Sequence, residues 1–294
     1  TYLDCIPCMY RQVIDASRRA GLSEKSAKQI IDASGKIIEK LDLSVTPPEA
    51  AGRLNRLVIT AAENADLYRN EKKKSNDLAL SVYNACKNRI EKAEDPLRAA
   101  VELSIAGNII DYGVKNTLDV EEELERIMKE ENALLKNSNM EFFAYPAFSA
   151  NLKESKEILY LADNAGEIVF DRILIETIRN MYPHTHFTFA VKSTPILNDA
   201  LIEDAVYCGL ESCTAIIASG SEIPGTVLSL CSREFLECCR NADMIISKGQ
   251  GNYESFESPQ KDVFYLFMAK CPIVARQAGC EIRAINLLYL PGTK

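Results

Sequence analysis

The sequence predicts an α/β protein in which a Rossmann-like, mostly parallel sheet is preceded by an all-helical N-terminal domain. Two observations carry this. Residues up to about position 135 read as amphipathic helices with polar breaks and few β-branched runs. From Ile158 onward the pattern changes to short apolar runs alternating with helical stretches, the signature of βαβ units whose crossovers cover both faces of a sheet. The division falls at residues 1–140 and 141–294.

The helices of the first half are expected at Cys8–Ala20, Glu24–Leu41, Pro48–Asn64, Leu67–Lys92, Pro96–Asp111 and Val120–Leu135. Their punctuation is regular. Ser23 can cap the second. Thr46 can cap the third, with prolines in the first turn where a missing N–H costs nothing. Asp95-Pro96 repeats the device, and Asp119 can cap the last. Asn108 and Asp111 stand three apart, hence on one helical face. They read either as a helix end closed by Gly113 or as a polar pair turned toward a cleft. Asp66-Leu67-Tyr68 with Lys72 and Asn76 leaves the same two readings open, with a solvated helix start as the default.

Residues 136–155 form a mixed connector. The strands that follow are expected at Ile158–Leu161, Phe187–Val191, Ala215–Ala218, Met244–Ser247 and Pro272–Ala275. Helices are expected near Ile168–Met181, Asn198–Cys208, Gly225–Arg240 and Gln260–Lys270.

Composition narrows the function. With 34 Lys and Arg against 42 Asp and Glu, the net charge of −8 argues against a nucleic-acid binder. It permits a small anionic substrate, because a local metal and a few lysines can reverse the field inside one cleft. No apolar run reaches the roughly 18 residues of a membrane helix, and no signal peptide is evident, so a cytoplasmic protein without membrane partners is expected. Ten cysteines are too sparse for a disulfide scaffold, and most are expected as core thiols, adjacent Cys238 and Cys239 among them. Cys5-Ile6-Pro7-Cys8 alone has chelating spacing. It is a candidate second metal site set against a structural pair.

The unusual residues gather where four strands end. The turns are Asp163-Asn164-Ala165-Gly166-Glu167, Lys192 to Asp199, Ser219 to Thr226 and Lys248 to Glu254. In a parallel sheet these share one edge, the edge that binds ligands. Asp163, Asn164 and Asp199 offer only oxygen donors, a set suited to one hard divalent ion such as Mg²⁺ or Mn²⁺. Asp199 also reads as an ordinary N-cap, a role Asn198 can fill instead. For an anion, Lys248 and Lys192 offer ammonium groups. Gly220, Gly249 and Gly251 let backbone N–H groups approach, with Asn252 beside them. Neither a Walker nor a dinucleotide glycine pattern occurs. His184 and His186 precede strand two, on the opposite edge, and read as surface residues.

With these motifs the sequence resembles the metal-dependent damage-control phosphatases, the ARMT-like domain family once classed as a domain of unknown function. The matching stretches are DNAGE at Asp163–Glu167, KSTPILND at Lys192–Asp199, KGQGNYES at Lys248–Ser255, GNIIDYG at Gly107–Gly113 and DCIPC at Asp4–Cys8. The last is similar to the archaeal and bacterial branch with an N-terminal CxxC. The family's D-P-Y stretch is here Asp66-Leu67-Tyr68. The resemblance implies metal ligands at Asp163, Asn164 and Asp199, a phosphate-binding lysine at Lys248, and Asn108 with Asp111 facing substrate. It implies hydrolysis of small phosphometabolites, such as sugar phosphates or phosphopantetheine-like compounds, with Mn²⁺, Co²⁺, Ni²⁺ or Mg²⁺.

The mechanism expected is direct in-line attack by a metal-activated water, oriented or deprotonated by Asp163 or Glu167. Phosphatases with an aspartyl nucleophile use D-x-D, which is absent here. A rival reading is an S-adenosylmethionine-dependent carboxyl methyltransferase. That cofactor needs a glycine-rich first turn and an acidic residue ending strand two, whereas this strand ends in Lys192. A third reading is a non-catalytic metal- or metabolite-binding protein centred on Cys5 and Cys8.

Overall fold

The computed structural model describes residues 1–64, 66–107, 125, 129, 143–258 and 260–293. The described chain opens with helices α1 (Cys5–Arg19), α2 (Glu24–Glu39), α3 (Pro47–Ala62), α4 (Arg69–Glu91) and α5 (Pro96–Ala106). The caps read from the sequence form. Ser23 accepts from the Ser26 N–H, Asp95 accepts from the Arg98 N–H, and Thr46 and Glu49 make a reciprocal capping box. Asn108, Asp111, Gly113 and Asp119 lie outside the described residues.

After α6 (Tyr145–Glu154) come β1 (Glu157–Leu161), α7 (Glu167–Met181), β2 (His186–Val191), α8 (Ile202–Tyr207) and β3 (Ala215–Ala218). They are followed by α9 (Arg233–Asn241), β4 (Met244–Lys248), α10 (Gln250–Tyr253), β5 (Asp262–Met268), α11 (Pro272–Ala278) and β6 (Ile285–Leu290). The six strands lie in the order β3-β2-β1-β4-β5-β6. The first five are mutually parallel, and β6 runs antiparallel to β5.

The end of the sheet departs from the sequence reading in two places. Gln260–Lys270, expected as a helix, contains β5, and Pro272–Ala275, expected as a strand, opens α11. The run Val263 to Met268 is buried on both faces of the sheet, so its continuous apolar character carries no period to separate strand from helix. Pro272 sits in the first turn of α11, where its absent N–H is harmless. Two helices also start later than expected. Asn198 to Ala200 are held by β1's turn, so α8 begins only at Ile202. The third crossover makes only a 3-10 turn at Leu228–Leu230 and becomes α-helical at Arg233, capped by Ser232.

Alternating side chains divide the sheet into two faces. Ile158 and Tyr160 of β1, with Phe189, Ile246 and Phe264, meet α4, α5, α6 and α7 on one face. Leu159 and Leu161, with Ile245, Val263 and Phe267, meet α9 and α11 on the other. Helices α1–α3 enclose a separate cluster of Met9, Val13, Leu54 and Val58. The cores therefore do not follow a division at residue 140, since α4 and α5 share theirs with the sheet. Among the described residues no helix is long and apolar enough to cross a membrane.

Close approach of α5 to α7 secures that shared core. A Cβ on Gly107 would lie 2.5 Å from the fully buried Phe170 ring. Replacing Phe170 with Ala is expected to cost about 3–5 kcal/mol in denaturant unfolding while keeping one transition. A separate transition for α4 and α5 would contradict the shared core.

Candidate active site

The sheet's order makes the site. Chain leaving β1 crosses to β2 on one side, while β4 continues toward β5 on the other, so a crevice opens between the carboxyl ends of β1 and β4. Asp163 stands in it. Its carboxylate occupies the space beside Gly249 on the β4 turn, where a Cβ would lie 2.1 Å from the carboxylate. Gly249 also has φ of +84°, so the position needs glycine twice over.

The turns after β1 and β2 are then joined by backbone. Ala165 N–H donates to Asn198 O and Ala200 N–H to Asp163 O, both at 2.9 Å, which pairs Asn164 directly with Asp199 in an antiparallel bridge. Residues so paired project to the same side, with Cβ atoms about 4.5–5.5 Å apart. The structure thus brings Asp163, Asn164 and Asp199 together. Asp199 is not the N-cap of the helix after β2. That cap is Leu201, whose N–H donates to the Asp204 carboxylate. Between Lys192 and Asp199 the chain passes through Leu197 at φ of +46°, a left-handed conformation that a leucine adopts only when its surroundings impose it.

The charges behind these residues are unbalanced. Asp163, Glu167, Asp171 and Asp199 are all buried, against the two buried ammonium groups of Lys192 and Lys248. Lys248 is fully enclosed and spends its donors on Glu167 Oε1 (2.7 Å), Asp171 Oδ1 (2.5 Å) and the Ser104 carbonyl (2.8 Å). Burial works against its charge, but Asp171 and Glu167 more than reverse this and hold its pKa above the ordinary lysine value. Lys192 donates to Gly225 O (2.7 Å) and lies 3.8 Å from Asp199 Oδ2; burial pulls its pKa down against Asp199 and Asp163. Burial, and then the Glu167 charge, raise Asp163 to about 6, with Lys270, Lys192 and Lys248 opposing.

A cleft of about 370 Å³ opens onto this edge. One wall carries Asp163, Asn164, Asp199, Gly251 and Lys270. The other is built by α1 and the start of α3 and carries Cys5, Cys8, Met9, Pro48 and Ala51.

Several expected ligands have other duties. Lys248 reaches the site only through Glu167, its ammonium being consumed behind it. Gly249 N–H donates to Leu266 O and Gly220 N–H to Ser193 Oγ, so these two glycines supply room for packing rather than N–H groups for an anion. Gly251 lines the cleft but also admits Pro224 O, 2.1 Å from where a Cβ would be. Asn252 is an internal staple: its amide donates to Ala162 O and Lys248 O, and its carbonyl accepts from the Thr226 hydroxyl. Asn108 and Asp111 lie outside the described residues. Cys5 and Cys8 line the cleft with Cys271. Burial pushes the Cys5 thiol above its ordinary pKa, toward the protonated form.

Two site residues escaped sequence reading. Lys270 was hidden by assigning its segment to a helix, although a lysine between an apolar run and Cys271-Pro272 marks a strand end. Asp171 stands one helical turn after Glu167, and that i,i+4 spacing was its only signal.

The donor set fits a hard divalent cation. Among the described residues no three His, Cys, Asp or Glu side chains are gathered to hold an ion by themselves. An ion here would rest on Asp163, Asp199 and the Asn164 carboxamide, with remaining positions for water and substrate oxygen, as Mg²⁺ and Mn²⁺ accept. The amide of Asn164 donates to Asp163 Oδ2 (3.0 Å) and Glu167 Oε2 (3.3 Å), which leaves its carbonyl oxygen outside those two bonds.

Because the folded pKa of Asp163 is raised, the folded chain binds that proton more tightly than the unfolded chain. The metal-free protein is therefore expected to lose about 2–3 kcal/mol as pH rises from about 4 through about 6. Asp163→Asn should flatten that loss in urea titrations at several pH values. Lys248→Met should cost about 3–5 kcal/mol, because it leaves two carboxylates buried without their cation. A lysine that only met substrate would leave unfolding unchanged.

A family model described as the damage-control phosphatase ARMT1-like domain matches residues 1–285. A damage-control phosphatase of Pyrococcus horikoshii is 35% identical over 277 residues, covering 93% of this chain and 92% of that protein. One of Archaeoglobus fulgidus is 31% identical over 285 residues, covering 95% of each. An uncharacterised protein of Methanocaldococcus jannaschii is 34% identical over 287 residues, covering 95% of this chain and 92% of that protein. The crystal structure of a DUF89 family protein from P. horikoshii superimposes with a TM-score of 0.86 at 31% identity, covering 98% of both chains. With its fold matched from end to end and its sequence matched nearly so, the chain belongs to the damage-control phosphatase ARMT1-like domain family.

Proposed function

We propose that this protein is a divalent-metal-dependent phosphatase that hydrolyses the monoesters of small phosphorylated metabolites. The observation that carries the reading is the convergence of Asp163, Asn164 and Asp199 at an edge whose buried carboxylates outnumber its buried lysines. Membership of a family whose relatives are named damage-control phosphatases supports the reaction class.

Asp163, Asp199 and the Asn164 carbonyl would hold the ion. When bound, it would supply charge neutralisation for the phosphoryl oxygens and acidify an attacking water. Lys270, exposed at the same wall, offers an ammonium to the remaining phosphoryl oxygens. Asp163 lines the cleft, whereas Glu167 is held behind it by Lys248 and Asn164. We therefore assign orientation of the water to Asp163 and support of Asn164 to Glu167. The opposite wall offers Met9, Pro48, Ala51 and Ile273 to the leaving group, and about 370 Å³ suits a small metabolite.

The test is phosphate release from a panel of sugar phosphates and phosphopantetheine-like compounds with Mn²⁺, Mg²⁺, Co²⁺ or Ni²⁺. Asp163→Ala and Asp199→Ala should each abolish divalent-dependent turnover. Lys270→Ala should raise KM about 10-fold or more, in line with one lost charge-assisted contact. Undiminished turnover in both aspartate variants would remove the reading. Methyl transfer from S-adenosylmethionine in the same preparations would favour the rival activity.

A further inference from the structure

Asp66, Lys72 and Asn76 look in sequence like a solvated helix start, yet Lys72 and Asn76 are 2% exposed. They form one side of a polar chain that runs from α4 to both turns of the candidate metal site. Lys72 Nζ lies 3.0 Å from Asp66 Oδ2 and 3.2 Å from Asp204 Oδ2. Asn76 Nδ2 donates to Asp204 Oδ1 at 2.9 Å, and Asn76 Oδ1 accepts the Gly166 N–H at 2.6 Å. Asp204 Oδ2 also accepts the Leu201 N–H at 3.0 Å.

Gly166 and Leu201 are the telling endpoints. Gly166 lies in the turn that carries Asp163, Asn164 and Glu167, and Leu201 follows Asp199 by two residues. The Asn76–Asp204 pair therefore holds both turns from outside the set of residues that line the cleft. Contact is close there. A Cβ on Gly166 would meet Ser75 Cβ at 2.8 Å, so turn and helix cannot drift without breaking these bonds. The bridge between Asn164 and Asp199 fixes their register but is only one residue pair long. Lys192 N–H adds a backbone bond to Ala200 O at 3.0 Å, and the Asn76–Asp204 pair adds a side-chain constraint that ties both turns to α4.

We propose that Asn76 and Asp204, with Lys72 paired to Asp204, are positioning residues that set the separation of Asp163 and Asn164 from Asp199. This rests on the reading of those three as metal ligands. Groups that orient ligands from outside typically change affinity by about 10–100-fold when removed. The pair also has a self-consistent exchange, the double variant Asn76→Asp with Asp204→Asn. There the carboxylate moved onto α4 accepts from the Gly166 N–H and from the carboxamide moved onto α8. That carboxamide keeps its oxygen for the Leu201 N–H and Lys72.

The experiment is Mn²⁺ titration of the full chain by calorimetry and by electron paramagnetic resonance. It compares wild type, N76D, D204N, the exchanged double variant, D163A and the core control Phe148→Leu. N76D and D204N should each weaken Mn²⁺ binding about 10–100-fold, and the double variant should restore it to within a few-fold of wild type. Phe148→Leu lowers stability in the core against Phe264, outside the residues that line the cleft, and should leave Mn²⁺ affinity unchanged. D163A should bind no Mn²⁺ at the site. If D163A binds like wild type, the metal reading itself fails. If D163A loses Mn²⁺ while N76D and D204N keep wild-type affinity, the positioning role is overturned and the metal reading stands. A folded double variant that remains about 10-fold weakened overturns it as well, and covers the case in which a single variant does not fold.

Discussion

Four carboxylates and two lysines are buried together at one sheet edge, and the rest of the molecule is arranged around that imbalance. Lys248 is fixed between Glu167 and Asp171 and neutralises charge deep in the fold. Lys192 lies near Asp199 without approaching closer than 3.8 Å. The residual charge falls on Asp163, whose pKa rises to about 6 because burial and the Glu167 field together outweigh the lysines around it. In the proposed function a divalent ion would correct the imbalance without a further side chain.

The helical half takes part in this. Ser104 of α5 contributes its carbonyl to Lys248 and its hydroxyl to Asp171, and α4 contributes Asn76 to the first turn. These helices lie in the same core as the sheet, so the site's charges are set by residues far along the chain from the motifs that display them. Helices α1 and α3 have a different relation to the edge. They keep their own core and meet the site across the cleft, as its far wall.

The β1 and β2 turns were legible because a strand end in a parallel sheet needs only short polar residues, and Asp163-Asn164 with Asp199 exceeded that need. The caps at Ser23, Thr46 and Asp95 were legible because capping is local chemistry. What escaped was non-local. Lys248 reads as a cation beside glycines, and only the packing of α5 reveals that its donors are spent. Gly249 reads as an anion cradle, and only the Asp163 carboxylate against it reveals that room is what it supplies. Asn76 and Lys72 read as solvated because their partner, Asp204, lies about 130 residues on. The exchanged assignment of β5 and α11 has a local cause: a strand buried on both faces carries no alternation. Lys270 was lost with it.

The division of labour across the cleft follows from where each wall is anchored. Oxygen donors and Lys270 come from strand ends, which the sheet's hydrogen bonds hold to fixed spacing. The facing wall comes from α1 and α3, whose core is separate and whose side chains there are thiols, a thioether, proline and alanine carbons and the Gln12 carboxamide, with Asp4 at the start of α1. A change in Met9, Pro48 or Ala51 alters the shape offered to a leaving group without moving a carboxylate. A change in Asp199 or Asn76 acts on the opposite wall, where the proposed cation would rest. Such a fold can keep one reaction and vary its substrate, because the two requirements are met by elements that do not share a core.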